Sequence, residues 1–460
     1  MIVVDKIYQI PIRMTVISGK AQGSGAVGQK VAVIGAGIIG VSCAFALQRR
    51  GMQVTLIDRL DPGEACSYGN AGVIATSSCL PLIMPGAIRN APKWLLFKDG
   101  PLAIDWRHLP QTARWMASAV RYTAPAYVEN TSRALRALHG GAVEDHFAQA
   151  REAACEDVLQ RAPYLHVYET ETDYRGDRKA WEMRRALGIA FEELDAAQLR
   201  EVEPALAPIF VRGVRIEGHA IARNPGRLVK ALAAAFAARQ GRVVRSEVRA
   251  IRPTAGGVML VTSEGEIEAD QVVIAAGAWS AALAATLGHD FPLVAERGYH
   301  VGFANPGVAL NHAVMFAERK MVGTSMEQGL RIAGTAEFST VDRPPTPARA
   351  EAIERAAPRL FNGLNTAEPT RWMGARPSLP DTLPVIGRSH REPRLCFAFG
   401  HGHTGLTASA TTARLIASIM AGDQPHIDIT PFRTDRFPSR RNGRQPSGAS
   451  LRAPAEPAAT

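Results

Sequence analysis

A short apolar run, Val31 to Ile34, leads straight into glycines at positions 35, 37 and 40, and this stretch constrains the fold more than any other. Four apolar residues without polar alternation read as a strand buried on both faces, as in parallel sheets. Val41 to Arg50 has a helical pattern, which Gly51 ends. Gln53 to Asp58 supplies a second strand, completing a βαβ unit. In that unit Gly35 permits the tight turn, Gly37 lets a pyrophosphate approach the backbone, and Gly40 lets helix and strand pack closely. The helix start offers unpaired N–H groups and a favourable dipole to phosphate, which brings in Ile38 and Ile39 as well. Asp58 ends the second strand at the roughly 20-residue spacing expected of a carboxylate that takes ribose hydroxyls, with Arg59 beside it. A negative group there argues against a 2′-phosphate and hence against NADP.

The 460 residues are 46% hydrophobic and 21% charged, which fits a globular protein of roughly two to three domains. Five scattered cysteines without CxxC spacing argue against a disulfide framework or a zinc site, and for a reducing compartment. The first thirty residues lack a secretory pattern. The most apolar run, Val31 to Leu47, is glycine-interrupted and shorter than the roughly 20 residues of a membrane span. These features predict a cytoplasmic protein without a transmembrane segment, compatible with peripheral contact at the inner face of the cell membrane. The net charge of +10 includes tail arginines (Arg440, Arg441, Arg444, Arg452) and forms no basic stripe interleaved with aromatics, so a nucleic-acid partner is not expected.

Along the chain, residues 1–29 read as a flexible leader and 436–460 as a disordered tail. Segments 30–90, 220–290 and 375–435 carry the strand, turn and helix patterns of a discontinuous nucleotide-binding domain. Segments 91–219 and 291–374 supply a second domain. Asp105 to Ala150 is helical by pattern, Pro225 to Arg239 is a strong helix, and Thr407 to Ala421 closes the fold. Val243 to Val248, Val258 to Val261 and Ile267 to Ala269 read as strands of a small sheet.

Three further segments carry a family resemblance. Ala65 to Gly72 looks like the loop that wraps the flavin in the D-amino acid oxidase/dehydrogenase superfamily, with Ser67, Asn70, Ala71 and Gly72 at matching positions. Ala275 to Ser280, including Gly277 and Trp279, is similar to that superfamily's middle motif. Phe397 to Thr407, with Gly400, Gly402, Thr404, Gly405, Leu406 and Thr407, matches the turn that sits against the flavin ring, and Val248 stands where the family packs backbone against adenine. Asp99 to Trp106 and Glu296 to His300 resemble the D-amino acid dehydrogenases in particular. The resemblance implies an α/β fold in which the discontinuous Rossmann-like domain binds FAD and a mixed β-sheet/helix domain binds substrate. No cysteine matches the covalent attachment point of sarcosine oxidases, so FAD is expected to be non-covalent.

A free amino acid has a carboxylate, and a bidentate guanidinium holds one rigidly. Arg376, in Trp372 to Gly387, matches the family position near the flavin and is the candidate; a structural ion pair is its bland alternative. Tyr299 either closes the pocket and bonds the carboxylate or simply packs. His401 flanks the flavin turn and is expected to contact flavin or substrate, His403 is left unassigned, and neither has metal-site company. The implied reaction is oxidative deamination of a D-amino acid, including D-proline or hydroxyproline types, with oxygen or a quinone of the respiratory chain as acceptor. The alternatives are a sarcosine- or glycine-oxidase-like secondary amine oxidase and a flavin subunit of a larger electron-transfer complex.

Overall fold

The computed structural model describes residues 27–86, 94–95 and 99–437, so nearly all of the leader (1–26) and of the tail (438–460) lies outside the described residues. Strands β1 (Lys30–Ile34), β2 (Gln53–Asp58), β3 (Arg242–Arg245), β4 (Gln271–Ile274), β5 (Val385–Arg388) and β6 (Leu395–Phe399) form one sheet in the order β3-β2-β1-β4-β6-β5. All neighbours are parallel except β5 against β6. Strand alternation divides β1 between two cores. Val31 and Val33 pack with α1 (Ile38–Gln48), α2 (Pro225–Ala238) and α3 (Gly405–Ala421), while Ala32 and Ile34 face a three-stranded antiparallel sheet of Val248–Pro253, Val258–Thr262 and Gly265–Ala269.

The sequence groups Val243 to Val248 with that small sheet, but the chain divides there. Arg242–Arg245 extends the parallel sheet beside β2, and the antiparallel sheet starts only at Val248. Helices Pro125–His139 and Ala142–Glu152, in the segment read as second domain, place Leu135, Leu138 and Val143 in the core around α1 and α3. Arg436 and Phe437 fall in the segment expected to be disordered, yet Arg436 bonds the Asp381 carboxylate at 2.7 Å and Phe437 is buried.

The second large sheet has nine strands. Its central order is Thr370–Ser378, Val294–Phe303, Gly329–Phe338, Met321–Met326, Ala313–Phe316 and Tyr164–Tyr168. One face carries Leu165, Val167, Tyr299, Val301, Val314, Phe316 and Ile332 into a core closed by the helix Pro347–Leu360. The opposite face, with His166, Met315, Val322, Ala333, His300 and Trp372 in register, turns toward the nucleotide-binding motifs.

The glycine turn is closed sterically. Gly35 has φ +108°, and a Cβ there would lie 2.4 Å from the Ala275 carbonyl oxygen; a Cβ on Gly40 would lie 1.8 Å from the Gly35 carbonyl oxygen. Gly40→Ala is therefore expected to destabilise the fold by about 3 kcal/mol or more, because backbone on both sides must move. Urea denaturation checks this, and a midpoint within error of wild type would refute the packing argument.

Candidate active site

A cleft of about 2720 Å³ runs between the parallel sheet and the open face of the nine-stranded sheet. Most of the residues singled out in the sequence line it. Gly40, Gly72 and Gly400 do not; they shape its walls from behind. Gly72, for example, has φ +79° and accepts the Ala222 N–H at 2.7 Å, and a Cβ there would meet the Ala222 carbonyl oxygen at 2.5 Å.

At one end Asp58 accepts the Ala36 amide at 2.6 Å and the Leu60 amide at 3.0 Å, which fixes the glycine turn while its carboxylate still borders the cleft. Arg59 lies 4.2 Å over the Trp279 ring, and Val248 and Gly277 line the same end. Helix α1 has no side-chain cap of its own. Its first amide, on Ile38, donates to Ser67 Oγ at 2.9 Å from the 65–72 loop. Helix α3 also starts without a side-chain hydrogen-bond cap, at Thr404, so Gly405, Leu406 and Thr407 present the positive end of a 17-residue helix to the cleft.

The loop between these helix ends is held from across the cleft. The carbonyls of Tyr68 and Asn70 accept Arg331 Nη1 at 3.0 and 2.7 Å. Gly69 O accepts His300 Nδ1 at 3.0 Å, and Ala71 O accepts the Thr324 hydroxyl at 2.9 Å. All three donors belong to the nine-stranded sheet. Burial lowers the Arg331 pKa to about 10, since its partners are neutral carbonyls and the face of Tyr68. Sequence reasoning missed these residues; the one signal was an arginine inside the apolar run Leu330 to Ala333.

Arg376 lines the cleft on the strand Thr370–Ser378. Its Nη1 donates to Glu296 Oε1 at 2.9 Å and to Thr335 O at 3.3 Å, while Nε and Nη2 have no hydrogen-bond partner among the described residues. The guanidinium lies over Gly298, where a Cβ would be 2.0 Å from Nη2. Thr335 reaches this position with φ +54°, costly for a β-branched residue, at an irregularity where the pairing slips between Arg297 and Tyr299. Glu296 also accepts the Ser378 hydroxyl at 2.7 Å. Burial pushes the Glu296 carboxyl up, but Arg376, Ser378 and His403 outweigh it and hold the group below its usual range.

The other three candidates are placed differently. Tyr299 has the opposite strand parity and packs in the core while still bordering the cleft; its hydroxyl donates to Glu337 Oε2 at 2.5 Å and accepts the Thr346 amide at 3.0 Å. His401 borders the cleft, but its ring is buried, with Nε2 3.0 Å from Thr412 Oγ1, and burial lowers its pKa to about 3. His403 is exposed to the cleft beside the Glu296–Arg376 pair and bonds no described residue; surrounding protein lowers its pKa despite the pull of Glu296. Cys66 lines the same end, and burial raises its thiol pKa, which keeps it protonated.

Four imidazoles around the cleft are held neutral by burial: His139 and His219 at about 4, His300 and His401 at about 3. Below the ordinary value of 6.5 the unfolded chain binds protons that the folded one refuses. Stability present above about pH 6.5 is thus lost as pH falls toward 4 and then 3, at up to about 1.4 kcal/mol per pH unit for each ring. The urea midpoint is expected to drop clearly from pH 7 to pH 5, and His300→Asn to flatten part of that drop. A pH-independent midpoint would show that these rings charge inside the fold.

Comparison with known proteins agrees with this architecture. The family model described as FAD dependent oxidoreductase (DAO) matches residues 30–419. A D-amino-acid oxidase of Bradyrhizobium diazoefficiens is 38% identical over 421 residues, covering 89% of this chain and 99% of that protein. A D-amino acid dehydrogenase of Sinorhizobium medicae is 32% identical, covering 89% and 100%. Among solved structures, glycine oxidase from Geobacillus kaustophilus superposes with a TM-score of 0.68 at 22% identity, covering 89% of this chain and 100% of that one. The matched segment spans both the glycine turn at Gly35 to Gly40 and the α3 start that faces it, and the chain belongs to the DAO family of FAD-dependent oxidoreductases.

Proposed function

We propose that this enzyme oxidises the Cα–N bond of a small D-amino acid, D-proline and hydroxyproline types included, with FAD held non-covalently along the cleft. FAD, when bound, supplies the two-electron acceptor. The cleft fits an extended dinucleotide: Asp58, Arg59, Val248 and Trp279 border one end, the α1 start, with Ser67 on its first amide, lies in the middle, and the α3 start lies at the other. Two features support the lack of a covalent link. Cys66 is the one cysteine that lines the cleft, and its thiol is held protonated.

The observation that carries the substrate assignment is Arg376. A guanidinium fixed through Nη1 alone keeps the Nε–Nη2 edge, which matches the two oxygens of a carboxylate. With the carboxylate there, the neutral α-amino group and the Cα–H lie along the cleft. FAD held there would take up the hydride from Cα; a primary amine would be left as an imino acid that water converts to a 2-oxo acid and ammonia, whereas a proline-type ring amine would be left as a cyclic imine that keeps its nitrogen. The chain's part is alignment and electrostatics: Arg376 orients the substrate, and the α3 amides favour negative charge on the acceptor. Tyr299 and His401 border the cleft, but the Tyr299 hydroxyl is engaged with Glu337 and the Thr346 amide and His401 Nε2 lies 3.0 Å from Thr412 Oγ1, so the carboxylate is assigned to Arg376. Five free thiols fit a cytoplasmic setting. No helix among the described residues is long and apolar enough to cross a membrane.

A screen of D-amino acids against the purified yellow protein, read by bleaching of the flavin band, tests the reaction; adding oxygen or a quinone then identifies the acceptor. Arg376→Ala is expected to lower kcat/KM about a hundredfold, mainly through KM, with flavin content unchanged. Unchanged kinetics would remove Arg376 from the site. Arg331→Met is expected to weaken FAD binding about tenfold, as one sheet releases two loop carbonyls. Fluorescence titration of apoprotein with FAD checks it, and a wild-type dissociation constant would show that the Arg331 contacts do not shape the cofactor site.

A further inference from the structure

We propose that the cleft carries a second carboxylate-recognition point, at Arg184, with Tyr164 and His166 beside it. Arg184 projects from the helix Arg178–Ala186 into a lobe of the same cleft, over the part of the open sheet face formed by Tyr164–Tyr168. Its hydrogen bonds are two long ones to carbonyls, Nε to Ser77 O and Nη1 to Ala180 O, each 3.4 Å, and its guanidinium lies 4.7 Å over the Trp181 ring. Nη2 has no hydrogen-bond partner among the described residues.

The contrast with other arginines lining the cleft is informative. Arg376, Arg319, Arg355 and Arg249 each have a carboxylate, Glu296, Glu169, Asp99 and Glu247, whereas Arg59 and Arg359, which also line the cleft, share with Arg184 the lack of an ion pair among the described residues. Arg184 forms no ion pair with a described residue, although carboxylates stand in the same lobe. Each of those is engaged elsewhere through at least one oxygen, Glu318 keeping its buried Oε2 without a hydrogen-bond partner among the described residues. Asp177 takes the Tyr168 hydroxyl at 3.1 Å, Glu169 takes Arg319, and Glu318 takes the Glu169 amide at 2.8 Å. Burial lowers the Arg184 pKa: the guanidinium gives up hydration, and the nearby Asp177 carboxylate, which forms no ion pair with it, offsets that loss only in part.

The surroundings supply the rest of an anion site. Tyr164 and His166 line the lobe, and neither ring's polar atoms bond a described residue. Burial and the nearby Arg184 hold His166 neutral, able to donate a hydrogen bond without adding charge. Lys320, at φ +53°, lines the lobe and makes no ion pair among the described residues. A guanidinium edge, a phenol and a neutral imidazole suit a planar carboxylate.

Two sources could bring that carboxylate: the distal acid group of a long substrate, or a separate molecule such as the 2-oxo acid product. The first rests on the amino-acid-oxidising reading above; the binding site itself does not. The test therefore has two arms on the full-length protein. In the first, pyruvate is titrated into Arg376→Ala protein and followed by tryptophan fluorescence, because Trp181 lies under Arg184. Saturable binding is expected there, and its loss in Arg376→Ala/Arg184→Gln, with partial recovery in Arg376→Ala/Arg184→Lys. Arg376→Ala/Tyr164→Phe, which deletes one hydroxyl only, covers the case in which the Gln variant does not fold and is expected to weaken pyruvate about threefold.

In the second arm, kcat/KM for D-glutamate and D-alanine is compared between wild type and Arg184→Gln. A fall of about tenfold for D-glutamate alone assigns the point to a substrate's distal acid. Pyruvate binding that depends on Arg184, with an unmoved substrate ratio, assigns it to a separate carboxylate. If pyruvate binding is the same with and without Arg184 and Tyr164 OH, and the ratio does not move, the proposal is overturned. Absence of turnover with every D-amino acid would refute the amino-acid reading and leave the pyruvate arm to decide on the site.

Discussion

Four consecutive peptide carbonyls, Tyr68 to Ala71, end on side chains of a sheet more than two hundred residues away in sequence. This contact fixes the cleft, because the loop that makes it also caps the first amide of α1 through Ser67. The glycine turn, the loop and the open face of the nine-stranded sheet thus form one hydrogen-bonded unit. Its central donor is a buried cation satisfied by neutral oxygens, an arrangement that persists only where geometry makes leaving it costlier than keeping it. The substrate-facing sheet therefore belongs to the cofactor site as much as the parallel sheet does.

The same sheet separates roles by parity. Residues of one parity on Val294–Phe303 turn toward the nucleotide-binding side, with Glu296 and Gly298 lining the cleft and His300 holding the Gly69 carbonyl, while Val301 and Tyr299 pack in the core beneath the helix Pro347–Leu360, Tyr299 also reaching the cleft edge. The opposing strand repeats the pattern with Trp372, Gly374 and Arg376. Trp372 stacks on His300 at 5.1 Å and presses on Gly69 and Gly374, so a loop of one region, an aromatic ring and two strands meet at a single point.

Much of this was legible in the sequence. The βαβ unit was clear because its apolar runs and glycines have local meaning: Gly40 is demanded by the Gly35 carbonyl within the turn, and Gly35 by its own positive φ as well as by the Ala275 carbonyl beside it. The start of α3 was legible for the same reason. Arg376 could be picked out by resemblance and by its chemistry. Its pairing with Glu296 could not, because it depends on strand register across 80 residues. Tyr299 was ambiguous until the register gave its direction, since a tyrosine in a strand reads alike on either face. Arg331 was hidden because its partners are backbone atoms, which leave no trace in residue identity. The division of Val243 to Val248 between two sheets was hidden as well, because an apolar run does not say where a strand changes partners.

The Glu296–Arg376 pair also decides what the pocket attracts. With the guanidinium balanced by a buried carboxylate, that end of the cleft has little net charge of its own. Simple anions abundant in any cell gain little there, because they would leave a surplus negative charge away from water. A zwitterion brings its own compensation as it enters, and gives up its ammonium proton only ahead of the loss of the Cα–H. The counter-charge thus acts as a filter, trading raw affinity for preference toward molecules that present both signs at once.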